Sequence, residues 1–484
     1  MIKKLIVVFV VTTFLWFLFT FKLTDVPSGI NGDEAVIGYN AVLISQTGKD
    51  ARGNFLPLFS SNTDSFDWKQ PVTVYATVTA FKLFGPSYFT LRAVSVFFAF
   101  LSASLIFLLI NQIKGFKLAL VGLLIFVTTP IIMIQSHLAL ENIAPVPFIS
   151  FWLLMLYKYF KKQNLRYIIF AAVSLGFALY SYLGLRLMII PLIILSISFL
   201  YFIDRRRVWF TFIISVSPFI ILLFLVKSQY PGAVLGLFRP HSIASYQELI
   251  MPYISSFDLS FLFITGDITP YHSTGKHGVF LLASLPLFIL GIIRIIQKRN
   301  PFLIFVLTAF FTIPLFFGLG SNIHRGSRLL SLIPLFVTVA TVGFEYILAF
   351  KNMLFKTFSI FLVIFLMTLN YGDFLNDYWY YYPQRVKQEF AAPIHRVFIL
   401  LEKLSKENNL KPLIQNDIPL QNPNAFLFFE QAYFPNKLEK WMKNDLLPNR
   451  SVVFVDSTGM ALINISKIRM EKIEGTDYAL VRNK

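Results

Sequence analysis

Along this chain, apolar runs of 16 to 23 residues alternate with short polar segments that carry nearly all of the charge. A bilayer core takes about 20 residues of helix to cross. The pattern therefore predicts eleven transmembrane helices, over residues 4–22, 88–110, 118–134, 142–157, 167–183, 187–203, 208–226, 278–293, 301–319, 329–349 and 355–371. The fourth run is short and holds Pro145 and Pro147, so a break or a re-entrant turn is expected there. The first run follows Lys3 and Lys4 as a signal peptide would. However, Phe21-Lys22-Leu23-Thr24-Asp25 has no small-x-small cleavage site, and the run reads as an anchor.

The polar segments orient the helices. With the N-terminus in the cytoplasm, the inner side holds Lys3, Lys4, Lys114, Lys117, Lys158, Lys161, Lys162, Arg166, Arg205, Arg206, Arg207, Arg294, Lys298, Arg299, Lys351 and Lys356. The short outer turns hold only Arg186, Arg325 and Arg328. Short cytoplasmic loops favour Lys and Arg, so the expected topology is N-in and, with an odd number of spans, C-out. Two long outer segments result, 23–87 and 227–277. Of the acidic residues before residue 384, all but Asp204 and Glu345 then fall on the outer side, which is where a polar site is expected.

Beyond residue 383 the pattern changes. Basic and acidic residues interleave as on a soluble surface, and 384–484 reads as a small extracytoplasmic α/β domain. A helix is expected over 386–407, a strand at Lys411–Gln415, and helical stretches near 424–443. A buried strand is expected at 451–455, with a closing pair at 466–473 and 477–482. The fold class is thus a polytopic α-helical membrane domain, 1–383, followed by this domain.

Composition narrows the function. Only 14% of the 484 residues are charged and 56% are hydrophobic, against about 25% charged in soluble domains. The absence of cysteine excludes thiol catalysis and Cys-ligated metals. A net charge of +18 taken alone suggests nucleic acid. Its placement in cytoplasmic loops points instead to membrane orientation against anionic lipid, in a cell membrane.

The first outer segment carries Gly29-Ile-Asn-Gly-Asp33-Glu34-Ala35, then the apolar stretch Ala35–Leu43, expected to lie along the membrane surface. Asp33 and Glu34 read equally as acidic caps of that helix. Downstream come Gly48 to Pro57, Lys69-Gln70-Pro71 and Leu91-Arg92. This succession resembles the first outer loop of GT-C-fold glycosyltransferases of the protein O-mannosyltransferase and lipid A aminoarabinose transferase family. Those members carry an acidic pair after the first span, a Gly-rich stretch, a Lys-Pro-type segment and an Arg at the second span. The resemblance continues through His137-Leu-Ala-Leu-Glu141-Asn142, Tyr180-Ser-Tyr-Leu-Gly-Leu-Arg186, the 266–278 loop and Ile323-His324-Arg325-Gly-Ser-Arg328. Relatives commonly show Arg where His137 stands.

The resemblance implies a polyprenyl-phosphate-linked sugar as donor and transfer to a hydroxyl on a protein, lipid or wall-polymer acceptor at the outer face. It also suggests inversion at the anomeric carbon. A hydroxyl is a poor nucleophile until a carboxylate takes its proton, and Asp33 is the expected base. Glu34 and Glu141 are expected to orient the acceptor or tune Asp33. Charge developing on the departing phosphate calls for cations, and Lys69, Arg186, His272, Arg325 and Arg328 are the outer candidates. Lys69, Arg186 and Arg328 also read as residues snorkelling to headgroups. No metal is required, although carboxylates and phosphate together leave room for Mg²⁺. Neither a polyprenyl-oligosaccharide flippase nor an O-antigen-ligase-like transferase is excluded by the outer charges. The flippase reading lacks ionisable groups at mid-membrane depth, and the ligase reading does not need the first-loop acidic pair. The aromatic run 378–382 reads as an interfacial belt or as a sugar-stacking platform.

Overall fold

The computed structural model describes the chain apart from residues 1, 63–66, 205–206, 235–244, 320–322, 388, 391–392, 417, 419–421, 436–437, 443–446, 463–467, 475 and 484. Arg205 and Arg206 of the expected inner loops, and part of the 227–277 segment, lie outside the described residues. The chain forms two compact units. The first is Met1–Phe21, Phe66–Thr73 and Ser95–Tyr381; the second is Lys22–Ser65, Val74–Val94 and Tyr382–Lys484.

In chain order the helices up to the tail are α1 (Ile2–Thr20), α2 (Gly32–Thr47), α3 (Pro71–Phe84), α4 (Tyr88–Lys114), α5 (Phe116–Val127), α6 (Pro130–Ser136), α7 (Pro145–Lys162), α8 (Leu165–Leu179), α9 (Arg186–Ile203), α10 (Val208–Val226), α11 (Tyr246–Ser255), α12 (Leu285–Lys298), α13 (Pro301–Thr312), α14 (Ile333–Leu348) and α15 (Met353–Asn376). Every one of the eleven predicted runs is helical. Seven helical segments among the described residues are long and apolar enough to cross a membrane, and α5 with α6 makes an eighth if the bent pair is one span. The remaining runs fold as α1, the 15-residue α8 and the 14-residue α12.

The break falls in the third run, not the fourth. The α5 and α6 axes bend by 66° at Thr128-Thr129. Pro130 has no N–H for the helical ladder, and Phe126 O accepts instead from the Thr129 N–H at 3.1 Å; Thr129 Oγ1 donates to Ile125 O and Thr128 Oγ1 to Leu124 O, both at 2.9 Å. Pro145 and Pro147 sit instead in the first turn of α7, where a missing N–H costs nothing. Deeper in the bundle, α12 crosses α14 backbone against backbone. A Cβ on Gly291 would lie 2.0 Å from Val339 O, and one on Gly343 1.8 Å from Leu287 O. Small residues permit such close crossings in lipid. The span containing α14 is 83% buried and that containing α15 only 6%, which makes α15 the lipid-facing extreme of this unit.

The second unit is built on α2. Its N-terminus is a capping box: the Asp33 N–H donates to Asn31 Oδ1 at 2.6 Å, and the Asn31 N–H donates to Glu34 Oε2 at 3.0 Å. Gly48, at φ 76°, ends the helix in the left-handed conformation that glycine accepts without strain. Ala35–Leu43, expected to lie along the membrane surface, is mostly buried within the unit. Gly38 sits against Phe428, where a Cβ would come within 2.9 Å of the ring. An apolar helix with protein around it needs no lipid.

The tail begins with α16 (Tyr382–Arg385) and α17 (Ile394–Glu407), then β1 (Lys411–Gln415), α18 (Pro423–Tyr433), β2 (Glu439–Trp441), β3 (Ser451–Asp456), α19 (Ser457–Leu462), β4 (Ile468–Lys472) and β5 (Tyr478–Asn483). The sheet order is β2-β1-β3-β5-β4, with β1 parallel to β2 and β3, and β5 antiparallel to β3 and β4. One face packs Leu413, Trp441, Val453, Val455 and Val481 together, while Phe454 on the other meets Phe398 of α17. The stretch near 424–443 is only partly helical, since α18 stops and the chain enters edge strand β2. Phe434, held by Pro435 at φ −135° and ψ 61°, cannot continue the helix.

Candidate active site

In the first unit, the Lys69-Gln70 segment is fastened from three sides. The Gln70 backbone N–H donates to Glu141 Oε1, and Gln70 Oε1 accepts from Arg186 Nη2. Arg186 also donates through Nε to Leu179 O at 2.7 Å, and through Nη1 to Ala233 O and, at 2.7 Å, to Val234 O. Trp68 Nε1 donates to Pro231 O at 2.7 Å. Arg186, expected to face the donor phosphate, is buried and joins two stretches of backbone to the Gln70 side chain, with Glu141 as an opposite charge. Glu141, expected to serve the acceptor, is itself nearly buried and holds the Gln70 amide. Lys69 differs. Its side chain is buried, and its Nζ lies 2.6 Å from Oδ2 of Asp67, whose side chain is 66% exposed. The lysine charge is thus paired with a carboxylate at the surface.

The basic turn is held by a carboxylate from another loop. Asp267, buried, accepts from the Gly326 N–H at 2.6 Å and the Ser327 N–H at 3.4 Å through Oδ2, and from the Thr269 N–H at 2.8 Å through Oδ1. It caps the 3-10 turn Gly326–Leu332 from outside, a place where negative charge is favoured. Arg325 donates to Thr269 Oγ1. Arg325 and Arg328 are both half-buried. Tyr182 is half-buried beside them; desolvation pushes its phenol up, opposed by the Arg328 charge and by a hydrogen bond to Ser327. Burial also pushes the Tyr180 phenol up to about 12, with Arg186 pulling the other way. His272 Nδ1 meets Gln135 Nε2 at 2.8 Å, and Gln135 Oε1 accepts from Asn142 Nδ2 at 3.0 Å. His324 pairs with Asp258 at 2.9 Å and stacks on Phe261.

Six of the expected residues, Lys69, Glu141, Arg186, His272, Arg325 and Arg328, thereby sit on one hydrogen-bonded set of loops in the first unit. Among the described residues, no group of three or more His, Asp or Glu side chains has a metal-holding arrangement.

Asp33 and Glu34 belong to the second unit. Glu34 is wholly buried and takes two bonds from Arg92, Nε to Oε1 at 3.0 Å and Nη2 to Oε2 at 3.2 Å. Arg92 further donates to Leu23 O, Pro27 O and Gly29 O at 2.8–2.9 Å, and its guanidinium lies 4.4 Å from the Tyr88 ring centroid. The Glu34 charge is therefore matched inside the fold, which offsets the repulsion expected to tune its neighbour. Asp33 is exposed in the first turn of α2, with its backbone tied to Asn31. A carboxylate on a fixed backbone with its side chain toward solvent can accept a proton. In the aromatic run, Tyr378 and Tyr382 are buried and Tyr380 and Tyr381 are exposed.

Sequence reasoning passed over Gln70, Asp267 and Tyr182 as organisers. Each lies inside one of the segments that carry the resemblance, and its role rests on partners from other segments that the sequence pattern does not mark.

A family model described as dolichyl-phosphate-mannose-protein mannosyltransferase matches residues 69–229, less than half of the chain. No curated protein matches the sequence. Among solved structures, ArnT from Cupriavidus metallidurans bound to undecaprenyl phosphate matches with TM-score 0.55 at 10% identity, over 99% of this chain and 98% of that one. The same protein in the apo state matches with TM-score 0.53 at 12% identity, over 99% and 98%. The Archaeoglobus fulgidus oligosaccharyltransferase tethered to an acceptor peptide matches with TM-score 0.50 at 11% identity, over 98% of this chain and 74% of that one. At such identities the likeness is one of fold. The chain is a multi-pass membrane protein with the GT-C fold, and it resembles the protein O-mannosyltransferases and lipid A aminoarabinose transferases in fold and in the 69–229 segment.

Proposed function

We propose that this protein is an integral-membrane glycosyltransferase that moves a sugar from a polyprenyl-phosphate-linked donor to an acceptor hydroxyl on the outer face of the cell membrane, with inversion. The observation that carries this reading is the hydrogen-bonded set of loops in the first unit that carries Lys69, Arg325 and Arg328 while Glu141, Asp267 and Arg186 hold the loops in place. The undecaprenyl phosphate bound by the similar ArnT supports a lipid phosphate as the anion.

In the reaction that the family resemblance implies, Asp33 takes the acceptor proton as the oxygen attacks the anomeric carbon. The bond from that carbon to the phosphate oxygen breaks on the opposite face, and the polyprenyl phosphate leaves as an anion. Lys69, Arg325 and Arg328 stabilise the charge that develops on it, with the phosphate replacing Asp67 as the partner of Lys69. A phosphate leaving group needs no strong general acid, unlike the two-carboxylate pattern of glycosidases. The N-terminus is cytoplasmic and the tail extracytoplasmic in this reading.

The test is turnover of a panel of polyprenyl-phosphate sugars by the purified protein beside its Asp33→Asn variant. Loss of a positioned base is expected to cost about 10²–10⁴-fold in rate while the variant still inserts and purifies. Wild-type turnover by Asp33→Asn overturns the base assignment. Mass spectrometry of glycans and lipids after gene deletion identifies the acceptor class.

A further inference from the structure

The ten-residue helix α11 in the second long outer segment is amphipathic in an unusual setting. Tyr246, Ile250 and Ile254 recur at four-residue spacing along one face, and all three are exposed, Ile250 at 47% and Ile254 at 54%. Glu248 projects from the opposite side of the helix. A third face is fixed to the end of a membrane span. Leu249 O comes so close to Gly318 that a Cβ there would lie 2.0 Å away, and Tyr253 Oη donates to Phe311 O at 3.1 Å. Phe257, just past the helix, packs its ring 5.3 Å from Phe311. Pro301–Leu319, which supplies these contacts, is apolar and long enough to cross the bilayer, and its Ile304, Phe311, Leu315 and Leu319 are exposed as a lipid-facing band.

We propose that α11 is an in-plane docking helix whose Tyr246, Ile250 and Ile254 face inserts among the phospholipid acyl chains of the adjacent leaflet. The stripe belongs to a helix bound to the span that carries the lipid-facing band, and the bilayer around that band is its occupant. Glu248, on the far side, stays in water, as the polar face of an interfacial helix does. The last turn of α11 leads directly to Asp258, the partner of His324 next to Arg325, so a helix held by lipid also steadies that end of the basic turn.

The chain contains no cysteine, so single cysteines report one site each. The full chain carrying Ile250→Cys, Ile254→Cys, Glu248→Cys or Leu315→Cys is spin-labelled in vesicles of phosphatidylcholine and phosphatidylglycerol free of polyprenyl lipid. Collision with oxygen, which partitions into lipid, is compared with collision with a water-soluble nickel chelate. The oxygen-to-nickel ratio at positions 250 and 254 is expected to match position 315 and to exceed position 248 several-fold. A ratio at 250 and 254 equal to that at 248 places the face in water and overturns the proposal. Low collision with both reagents, which signals cover by a second copy or another protein, overturns it too. So does a lipid signature that appears only after polyprenyl phosphate is added, since that assigns the face to the donor's tail.

Discussion

The Glu34–Arg92 centre and the Asp267 turn each contain a buried carboxylate beside arginine, and they use it in opposite ways. Glu34 gives both oxygens to one guanidinium, and Arg92 gives the rest of its donors to three carbonyls. The centre is electrically closed and holds the start of α2 in place. Asp267 gives its oxygens to backbone N–H groups of the turn and of its own loop. Arg325 and Arg328 then stand half-buried on a backbone that a neighbouring carboxylate has fixed. Where Glu34 bonds Arg92, the cation becomes scaffold; where Asp267 bonds amides, Arg325 meets the neutral hydroxyl of Thr269.

Breaking the closed centre has the largest expected effect. Arg92→Met leaves Glu34 as a buried unpaired charge, and losing one partner of such a pair costs about 3–5 kcal/mol. Thermal unfolding of the purified protein checks this, and Glu34→Gln added to Arg92→Met is expected to recover much of the loss. A stability unchanged in Arg92→Met would remove the contrast.

Acidification strains the same region more gradually. His395, buried against the Tyr88 ring, is held at about pKa 3, first by burial and then by the Arg92 and Arg396 charges. Its folded value lies below its unfolded one, so between about pH 6.5 and 3 the unfolded state binds the extra proton. Stability is then full above that window and falls with pH inside it, with a slope approaching about 1.4 kcal/mol per pH unit. Melting across pH 7 to 4 should show the decline, and His395→Phe should flatten it.

The open turn predicts a different signature. Asp267→Asn keeps one acceptor oxygen and loses the charge, so a cost of about 1–2 kcal/mol is expected. It should appear as weaker donor binding, a raised KM, with little change in kcat; an unaltered KM would make Asp267 a simple cap. Smallest is Tyr182→Phe, which removes the hydroxyl bonded to Ser327 and Arg328. About 1 kcal/mol, or roughly fivefold in donor affinity, is expected from titration with polyprenyl phosphate.

Much of the architecture was legible because lipid imposes a period and a length: all eleven runs proved helical, and β1, β3 and the closing pair stand close to where alternation put them. What escaped reading shares one cause. Arg186 and Arg92 are clamps because of Leu179, Ala233, Val234, Leu23, Pro27 and Gly29, which contribute main-chain oxygens. Any residue type could supply those, so no side-chain pattern announces them. Likewise nothing in α2 itself announces its neighbour Phe428, which arrives from the far end of the chain. The bend at Thr128-Thr129 was misplaced because a proline at a helix start and one inside a span look alike until the helix boundaries are known.

The glycine crossing of α12 and α14 bears on how the molecule can move. Main chain rests on main chain at Gly291 and Gly343, with no side chain between to change rotamer and cushion a shift. Packed contacts of this kind yield in steps rather than smoothly. The two helices are therefore expected to move as one, leaving smaller adjustments to the loops.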